Sequence, residues 1–408
     1  MVTEGIGDAF GQERVTRDST RLLRSRGHTV LHVGSFVRQS GARDEAVVIE
    51  GLFSLNSLSS RAKARGIAGR LAEALTRWAP DVIHFTDMPD PAILKAAAAV
   101  GPVVFTAHTL AATCPAGGRA LPTGGECPRK SGWACVWHHQ RQGCLGGFRS
   151  DLRRAHAVFE YLRRRDALRR VAWIAAPSGH VHEMLLRDGW EGSRVRLVPN
   201  PVEAIAGASA LSGAPEVLIS VAARLVPMKG IAVFLESLAR LAGPWTAWIC
   251  GDGPERAALE AMAGKRGISD RVKFLGVTAY ERTQAIFASS RIVVQPNLGP
   301  EGFGLAVAEA GLLGIPVVAS DLPALNEIVV GGTTGLLVPP GDPGVLAAAL
   351  ARLLADPQAA RRMGAAARES VKARYSAGAH LDALVDLYGA ASGGRRHESR
   401  PARAVTVS

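Results

Sequence analysis

Short apolar runs alternate with longer segments of helical period along most of this 408-residue chain. The alternation is typical of parallel strands joined by crossover helices, and it therefore predicts an α/β fold. The rhythm is repeated in the second half, which predicts two similar units. We expect helices at 11–26 and 67–78. We expect strands at 29–33, 82–85, 103–106 and 173–176 in the first half, and at 217–222, 246–250, 272–275, 292–295 and 316–319 in the second.

The seam between the two units is expected at Val198-Pro199-Asn200-Pro201, because two prolines fix the backbone and forbid a helix. We assign 1–198 to an amino-terminal domain with an insertion at 109–149, and 199–375 to a carboxyl-terminal domain. A helix at 376–390 that can return to the first domain and a disordered tail at 391–408 follow. Only four residues precede the Gly-rich loop 5–11, so the first strand either begins upstream or is a shortened edge strand.

The formal charge of +12 favours an anionic partner, since a basic surface concentrates phosphates or acidic lipid headgroups. Nucleic acid is not expected, because aromatic residues make up 5% of the chain and no basic stretch interleaves them. The longest apolar stretch, 92–107, is interrupted by Lys95 and Gly101-Pro102, which excludes a membrane-embedded protein. Glu4 and Asp8 lie where a secretory signal would be basic, so we expect a cytoplasmic location.

The first candidate site is a glycine-containing turn between strand 292–295 and a predicted helix at 305–313. Glycines let the backbone approach a ligand, and the N–H groups and dipole of a first helical turn bind phosphate. We expect an anion over Phe303, Gly304 and Leu305, while Glu301 and Glu309 address different hydroxyl groups. The alternative is an ordinary helix cap at Glu301 and a solvated Glu309.

Two cations, Arg224 and Lys229, follow strand 217–222 at the edge where ligands of open parallel sheets collect. Their charges suit a diphosphate. Gly251-Asp252-Gly253-Pro254 follows another strand, but it lacks the third glycine of the dinucleotide fingerprint and is equally compatible with a plain turn.

A series of motifs in the second half carries a family resemblance. The motifs are Arg224 to Gly230, Gly251-Asp252-Gly253-Pro254, Phe274-Leu275-Gly276, Glu301-Gly302-Phe303-Gly304 with Glu309 after seven intervening residues, Gly314 to Ser320 and Gly335-Leu336-Leu337-Val338. In this order and spacing the chain resembles the retaining GT-B glycosyltransferases of family 4. The resemblance implies a GT-B fold, with two Rossmann-like domains facing a central cleft, and a nucleotide-sugar donor as co-substrate.

The resemblance also implies residue roles. Arg224 and Lys229 would neutralise the diphosphate, Glu301 would hold the sugar, and Glu309 would bind the ribose. The implied donor-binding residues are Gly11, Gly251, Gly253, Gly276, Phe303, Gly304, Leu305 and Glu309. Cations and helix amides would stabilise the departing diphosphate, so no catalytic metal is expected. The sequence also contains no Asp-x-Asp triplet.

The first half resembles the family more loosely. Gly11 opens a helix as in the family, but Gln12 stands where the family has a second glycine. His108 follows strand 103–106 and matches a histidine of the family, so it would position the donor or assist removal of the acceptor proton. A structural role at a strand end, as we expect for His28 and His84, is the alternative.

The resemblance implies a hexosyltransferase-type enzyme of class EC 2.4 that acts with retention by front-face displacement. UDP-sugars are the favoured donors and GDP-sugars the next, and the acceptor is a hydroxyl in glycan, glycolipid or secondary-metabolite biosynthesis. The alternatives are a non-catalytic nucleotide-sugar sensor or scaffold and a nucleotide-sugar epimerase of the same fold.

Two features of the insertion and its flank lie outside these motifs. An aperiodic stretch contains Cys114, Cys127, Cys135 and Cys144. Two interpretations stay open: a structural zinc site, with His138 or His139 as substitute ligands, or free or adventitiously paired thiols.

The segment 151–170 combines seven arginines with apolar residues at helical spacing. A packed surface helix is favoured over a helix that contacts an anionic membrane at its inner face.

Overall fold

The computed structural model describes residues 1–6, 11–37, 46–49, 60–121, 125–144, 151–203 and 209–393. Parts of the predicted Gly-rich loop, insertion and linker, and the predicted tail beyond 393, lie outside the described residues. No described helix has both the length and the apolar character needed to cross a bilayer.

The chain divides into two compact units. The first comprises the described parts of Met1–Gly117, Arg129–Pro201 and Ala377–Ser408, and the second comprises those of Gly118–Pro128 and Val202–Ser376. The second unit therefore includes a short piece of the insertion 109–149, which the sequence assigns to the first half.

The first unit is a parallel sheet with helices on both faces. Its strands are β1 Val2–Ile6, β2 His32–Val37, β3 Ala46–Val48, β4 Ile83–Phe85, β5 Val103–Thr106, β6 Ala172–Ala176 and β7 Val195–Leu197. Its helices are α1 Gly11–Ser25, α2 Ser60–Trp78, α3 Pro91–Ala98, α4 Ala134–Gln142, α5 Asp151–Val171, α6 Gly179–Arg187 and the later α14 Ala377–Ala391. The strand order among the described residues is β3-β2-β1-β4-β5-β6-β7.

The second unit repeats this architecture. Its strands are β8 Leu218–Ala222, β9 Thr246–Cys250, β10 Val272–Gly276, β11 Ile292–Gln295, β12 Val317–Ser320 and β13 Gly335–Val338. Its helices are α7 Ile231–Leu238, α8 Arg256–Lys265, α9 Tyr280–Ala288, α10 Leu305–Leu312, α11 Leu325–Ile328, α12 Pro343–Ala355 and α13 Pro357–Arg374. The order β10-β9-β8-β11-β12-β13 is the doubly wound order, and it confirms the predicted α/β class.

Each sheet is buried on both faces, which explains why its strands are continuous apolar runs. In β11, Ile292 and Val294 join one apolar cluster, whereas Val293 between them joins the cluster on the opposite face. In β5, Val104 likewise packs with Leu384 of α14, away from Phe105. The helix α14 therefore supplies one of the layers that cover the first sheet.

The first strand differs from the expectation of a shortened edge strand. β1 pairs in parallel with β2 on one side and with β4 on the other, so it lies in the middle of the sheet. The helix α2 begins seven residues before the predicted start, because the polar segment before Ile67 continues the helix without adding to its apolar period.

Candidate active site

Topology brings two of the predicted loops together in the second unit. β8 and β11 are neighbours at the point where the strand order reverses, and ligands of open α/β sheets bind beyond the carboxyl ends of strands at such a switch point. β8 leads into the loop that carries Arg224 and Lys229, and β11 leads into the loop that carries Glu301.

Main-chain contacts hold these two loops against each other. Gly230 has φ +65°, and a Cβ added there would lie 1.8 Å from the carbonyl oxygen of Pro296. The backbone N–H of Leu298 donates to the carbonyl oxygen of Met228 at 2.9 Å. Glycine at 230 is therefore required by a close approach of the loops to each other.

Lys229 and Glu301 belong to a chain of polar side chains. The Lys229 ammonium donates to Glu301 Oε1, and Asn297 Nδ2 donates to the same oxygen at 2.5 Å. Gln295 Nε2 in turn donates to Asn297 Oδ1 at 2.6 Å. Asn297 is 1% exposed and Gln295 is 4% exposed, while Glu301 retains 19% of its side-chain surface. Two buried amides thus fix a carboxylate that still reaches solvent.

The helix after this loop begins without a capping side chain. Gly304 precedes α10 with φ +102° and supplies no side-chain hydrogen bond to the first turn. The Phe303 ring is 5% exposed and packs edge-on against Tyr375 at 5.1 Å between centroids. At the start of α10, the main chain from Phe303 to Leu305 is therefore the part that can contact an anion. Glu309, in the second turn of α10, is 5% exposed, so it is not the solvated residue of the alternative interpretation.

The glycines after β9 pack against the loop that carries Arg224. A Cβ at Gly251 would lie 1.9 Å from the carbonyl oxygen of Ala223, and one at Gly253 would lie 2.4 Å from that of Leu225. Gly251 also donates its N–H to the carbonyl oxygen of Gly276 at 2.7 Å. The local geometry assigns these glycines to packing between loops, and Arg224 itself is exposed.

The described residues of Gly118–Pro128 form a small hairpin against the same loops. Ala120 and Glu126 make an antiparallel bridge, and the N–H of Gly125 donates to the carbonyl oxygen of Leu298 at 2.9 Å. A Cβ at Gly299 would lie 2.8 Å from the Ala120 Cβ. The hairpin therefore packs directly against the loop that carries Glu301.

In the first unit, Gly11 and Gln12 begin α1. The Gln12 amide donates to the carbonyl oxygen of Thr86 at 2.8 Å and to Asp87 Oδ1 at 2.6 Å. The residue that replaces the family's second glycine thus ties the start of α1 to the turn after β4. Gly11 is exposed.

His108 lines a cavity of about 10 Å³ that is also lined by His84, Thr106 and His380. His84 shares hydrogen bonds of 2.6 Å with Thr106 Oγ1 and with the Tyr388 hydroxyl, which is the structural role expected of it. Burial, and secondarily repulsion from His380, lowers the pKa of His108 to about 3. His108 is therefore neutral near pH 7 and does not titrate there.

The structure does not gather the described zinc candidates into one group, and the side chain of His139 lies outside the described residues. Among the described residues, which include all four cysteines and His138, no group of three or more His, Cys, Asp or Glu side chains is placed to hold a metal ion. Cys127 belongs to the second unit and the other three to the first. Hydrogen bonds order this region instead: Asp188 accepts from the Ser131 N–H at 2.7 Å, and the Tyr161 hydroxyl donates to Ser131 Oγ at 2.8 Å.

Two family models match the chain in succession. The model described as Glycosyltransferase Family 4 matches residues 10–204, and the model described as Glycosyl transferases group 1 matches residues 203–370. The chain belongs to the family 4 glycosyltransferases.

Two named relatives of this glycosyltransferase carry different enzyme names. It is 32% identical over 244 residues to an alpha-D-kanosaminyltransferase of Streptomyces kanamyceticus, covering 59% of this chain and 62% of the relative, which is less than two thirds of that relative's length. It is 29% identical over 329 residues to a glycogen synthase of Mycobacterium tuberculosis, covering 78% of this chain and 71% of the relative.

Solved structures share the GT-B fold of this glycosyltransferase. HepE of Anabaena in complex with UDP and glucose matches with a TM-score of 0.70 at 18% identity, over 95% of this chain and 98% of that one. Sucrose-phosphate synthase of Thermosynechococcus elongatus matches with a TM-score of 0.70 at 21% identity, over 97% and 99% of the two chains.

Sequence reasoning did not identify Gln295 and Asn297, nor the hairpin as part of this region. The sequence could have indicated the two amides, because polar residues at the end of an otherwise apolar strand lie at the ligand-binding edge of a parallel sheet. The hairpin had none, because its docking depends on contacts with residues far along the chain.

Proposed function

We propose that this glycosyltransferase transfers a hexose from a nucleoside-diphosphate sugar to an acceptor hydroxyl with retention of configuration. The observation that carries the proposal is the convergence at the β8/β11 switch point of Lys229, Glu301 and the uncapped start of α10. Cationic and amide groups at such an edge match a diphosphate, and the carboxylate matches sugar hydroxyl groups.

In this proposal, Lys229 and Arg224 contact the diphosphate, and the main chain from Phe303 to Leu305 binds its oxygens. Glu301 holds the sugar and Glu309 the ribose. Lys229 is bonded to Glu301 in this structure, so the same ammonium can bridge the carboxylate and an incoming phosphate. The glycines at 251, 253 and 276 act by letting the loops approach, with the nucleotide lying along their main chain.

The charge that develops on the departing diphosphate provides the catalytic logic. Fixed cations and helix amides interact more strongly with the leaving group in the transition state than with the bound donor, so they lower the barrier. Because these groups supply the neutralising charge, we propose chemistry that is independent of a metal.

The configuration at the anomeric carbon is retained if the acceptor attacks the same face of the sugar ring from which the diphosphate departs. The acceptor oxygen forms the new bond to the anomeric carbon, the bond from that carbon to the phosphate oxygen breaks, and the acceptor proton passes to the departing diphosphate. Proton NMR of the first product formed tests this step, and an inverted anomer would contradict it.

His108 receives a positioning role in this proposal. A base whose pKa lies near 3 accepts a proton poorly at neutral pH, whereas a neutral imidazole both donates and accepts hydrogen bonds. We therefore assign His108 to substrate positioning and the proton to the leaving phosphate.

UDP-sugars are the first donors to test and GDP-sugars the second. HepE, which has the same fold, was crystallised with UDP and glucose, and this supports the uridine choice. The proposed acceptor is a hydroxyl group of a glycan, a glycolipid or a secondary metabolite.

Calorimetric titration of the full chain with UDP and GDP tests the site. Lys229→Met and Arg224→Ala should each weaken nucleotide binding at least about tenfold, the effect of losing one charge-assisted hydrogen bond. Lys273→Ala, which removes an exposed lysine of β10, is the matched control and should bind as the parent does. Equal affinity in all four proteins would refute the assignment, and binding without any donor hydrolysis would favour a sensor.

A further inference from the structure

Four large apolar side chains are exposed on α5, on α4 and at the residue before α4 in the first unit. Trp133 is 58% exposed, Trp137 70%, Leu152 82% and Phe159 39%. We call these four residues the aromatic face. Large exposed apolar clusters mark interaction surfaces, because leaving them in water costs free energy that binding recovers.

Helix geometry makes these residues one surface. Trp133 immediately precedes α4, and Trp137 follows it by four residues, in the first turn of that helix. Leu152 and Phe159 are seven residues apart on α5, so the members of each pair lie on one side of their helix. The rings of Trp133 and Phe159 stack at 6.1 Å between centroids with an interplanar angle of 30°. That stacking joins the exposed sides of the two helices.

The other sides of the helices are packed. Val158, Tyr161 and Leu162 of α5 are buried together with Cys135 and Val136 of α4. The sequence of α5 alone favours such a packed helix. The structure shows that packing uses one side of the pair and leaves the aromatic face uncovered by any described residue of the first unit.

Buried polar contacts hold the aromatic face in place. The Asp188 side chain is fully buried and accepts the Ser131 N–H, two residues before Trp133. Arg165 Nη1 donates to the carbonyl oxygen of Ser131 at 2.9 Å. The start of α4 is therefore fixed to α5 and to the end of α6, so the exposure of Trp133 is built into the fold.

The charge around the aromatic face is mainly positive. The stretch from 129 to 159 contains six basic residues and a single acidic one, Asp151. Among its described members, Arg129, Lys130, Arg141 and Arg153 are exposed. Tryptophan prefers the headgroup region of a bilayer, and arginine and lysine near it gain from anionic lipids.

We propose that the aromatic face docks on an anionic lipid bilayer, with Trp133, Trp137 and Leu152 entering the headgroup region and the basic residues contacting lipid phosphates. Charge complementarity selects an anionic partner, and exposed tryptophans flanked by arginine and lysine match the headgroup region of a lipid surface rather than an acidic protein. The proposal does not depend on the transferase activity.

Co-sedimentation of the full chain with vesicles tests the proposal. We expect binding to vesicles of phosphatidylcholine and phosphatidylglycerol, weaker binding to phosphatidylcholine alone, and loss of binding as salt is raised. Trp133→Ser with Trp137→Ser should lower the partition coefficient at least about tenfold, and Arg153→Glu at least about fivefold.

Matched controls come from the second unit. Val345→Ser removes an exposed apolar residue and Lys265→Glu reverses an exposed charge outside the aromatic face, and both should bind vesicles as the parent does. Unchanged thermal unfolding and UDP binding of the tryptophan variant would show that it is folded. Absence of parent binding to anionic vesicles would overturn the proposal. So would a concentration-dependent dimer that the tryptophan changes abolish while vesicle binding stays.

Discussion

Asn297 provides the sharpest test of how the site is held together. Replacement by leucine keeps the side-chain size but removes the N–H group that donates to Glu301 at 2.5 Å. The same change removes the acceptor of the Gln295 amide. The Gln295 Oε1 atom is already buried without a hydrogen-bond partner among the described residues, so Asn297→Leu would leave the whole amide group unsatisfied.

The size of the effect follows from these contacts. A hydrogen bond to a charged group contributes about 1.5–3 kcal/mol, and a stranded buried polar group costs about 1–3 kcal/mol. We expect a loss of about 3 kcal/mol in the free energy of unfolding. If the loss of the hydrogen bond to Glu301 raises the activation free energy by about 1.5–3 kcal/mol, kcat/KM should fall about 10- to 100-fold.

The assay combines denaturant unfolding with donor turnover, and Asn326→Leu is the matched control. Asn326 is an exposed asparagine of the same unit whose amide donates to Asp321 at 3.0 Å, and its loss should cost less than about 0.5 kcal/mol. If Asn297 acts through Glu301, then Asn297→Leu should have little further effect on turnover in a Glu301→Ala background. An equal loss of turnover in both backgrounds would refute the reasoning.

Two further predictions concern acid stability and the hairpin. Burial lowers the pKa of His84 and of His108, the latter to about 3, so below pH 6.5 the unfolded chain binds protons that the folded chain does not. The unfolding free energy should therefore fall as pH falls below 6.5, with His108 contributing up to about 1.4 kcal/mol per pH unit down to pH 3, and His84→Gln should reduce the fall. A flat profile between pH 6.5 and 5 would contradict the burial argument. Gly299→Ala would place a Cβ 2.2 Å from Met228 Cε and 2.8 Å from the Ala120 Cβ, so UDP affinity measured by calorimetry should fall and Ala120→Gly should partly restore it. Unchanged affinity in Gly299→Ala would separate the hairpin from the site.

Local pattern accounts for much of the fold. β5, β9 and β11 begin and end as the sequence predicts, because each is a mostly apolar run with glycine, proline or arginine directly before or after it. The three-residue strands β3 and β7 were not predicted, since so few residues carry no readable period and belong to the sheet only through pairing with β2 and β6.

The cysteines show what spacing alone leaves undecided. Their crowding in an aperiodic stretch suggested a metal, yet the region is ordered by Asp188, Ser131 and Tyr161 through contacts of 30 and 57 residues in sequence separation. The buried carboxylate of Asp188, which follows the last residue of α6, cannot be inferred from a pattern within the insertion.

By itself, the sequence determined the alternation of strands and helices, the glycines at tight turns and the residue types that match a diphosphate, because each depends on neighbours a few positions away. Two contacts were decided by the tertiary structure alone. One Glu301 oxygen accepts hydrogen bonds both from Asn297 and from Lys229, which lies 72 residues away in the sequence. The hairpin packs beside Gly299. Parallel strand order made that difference: pairing β8 with β11 brings their following loops to one edge, and no local sequence signal encodes which strands will be neighbours.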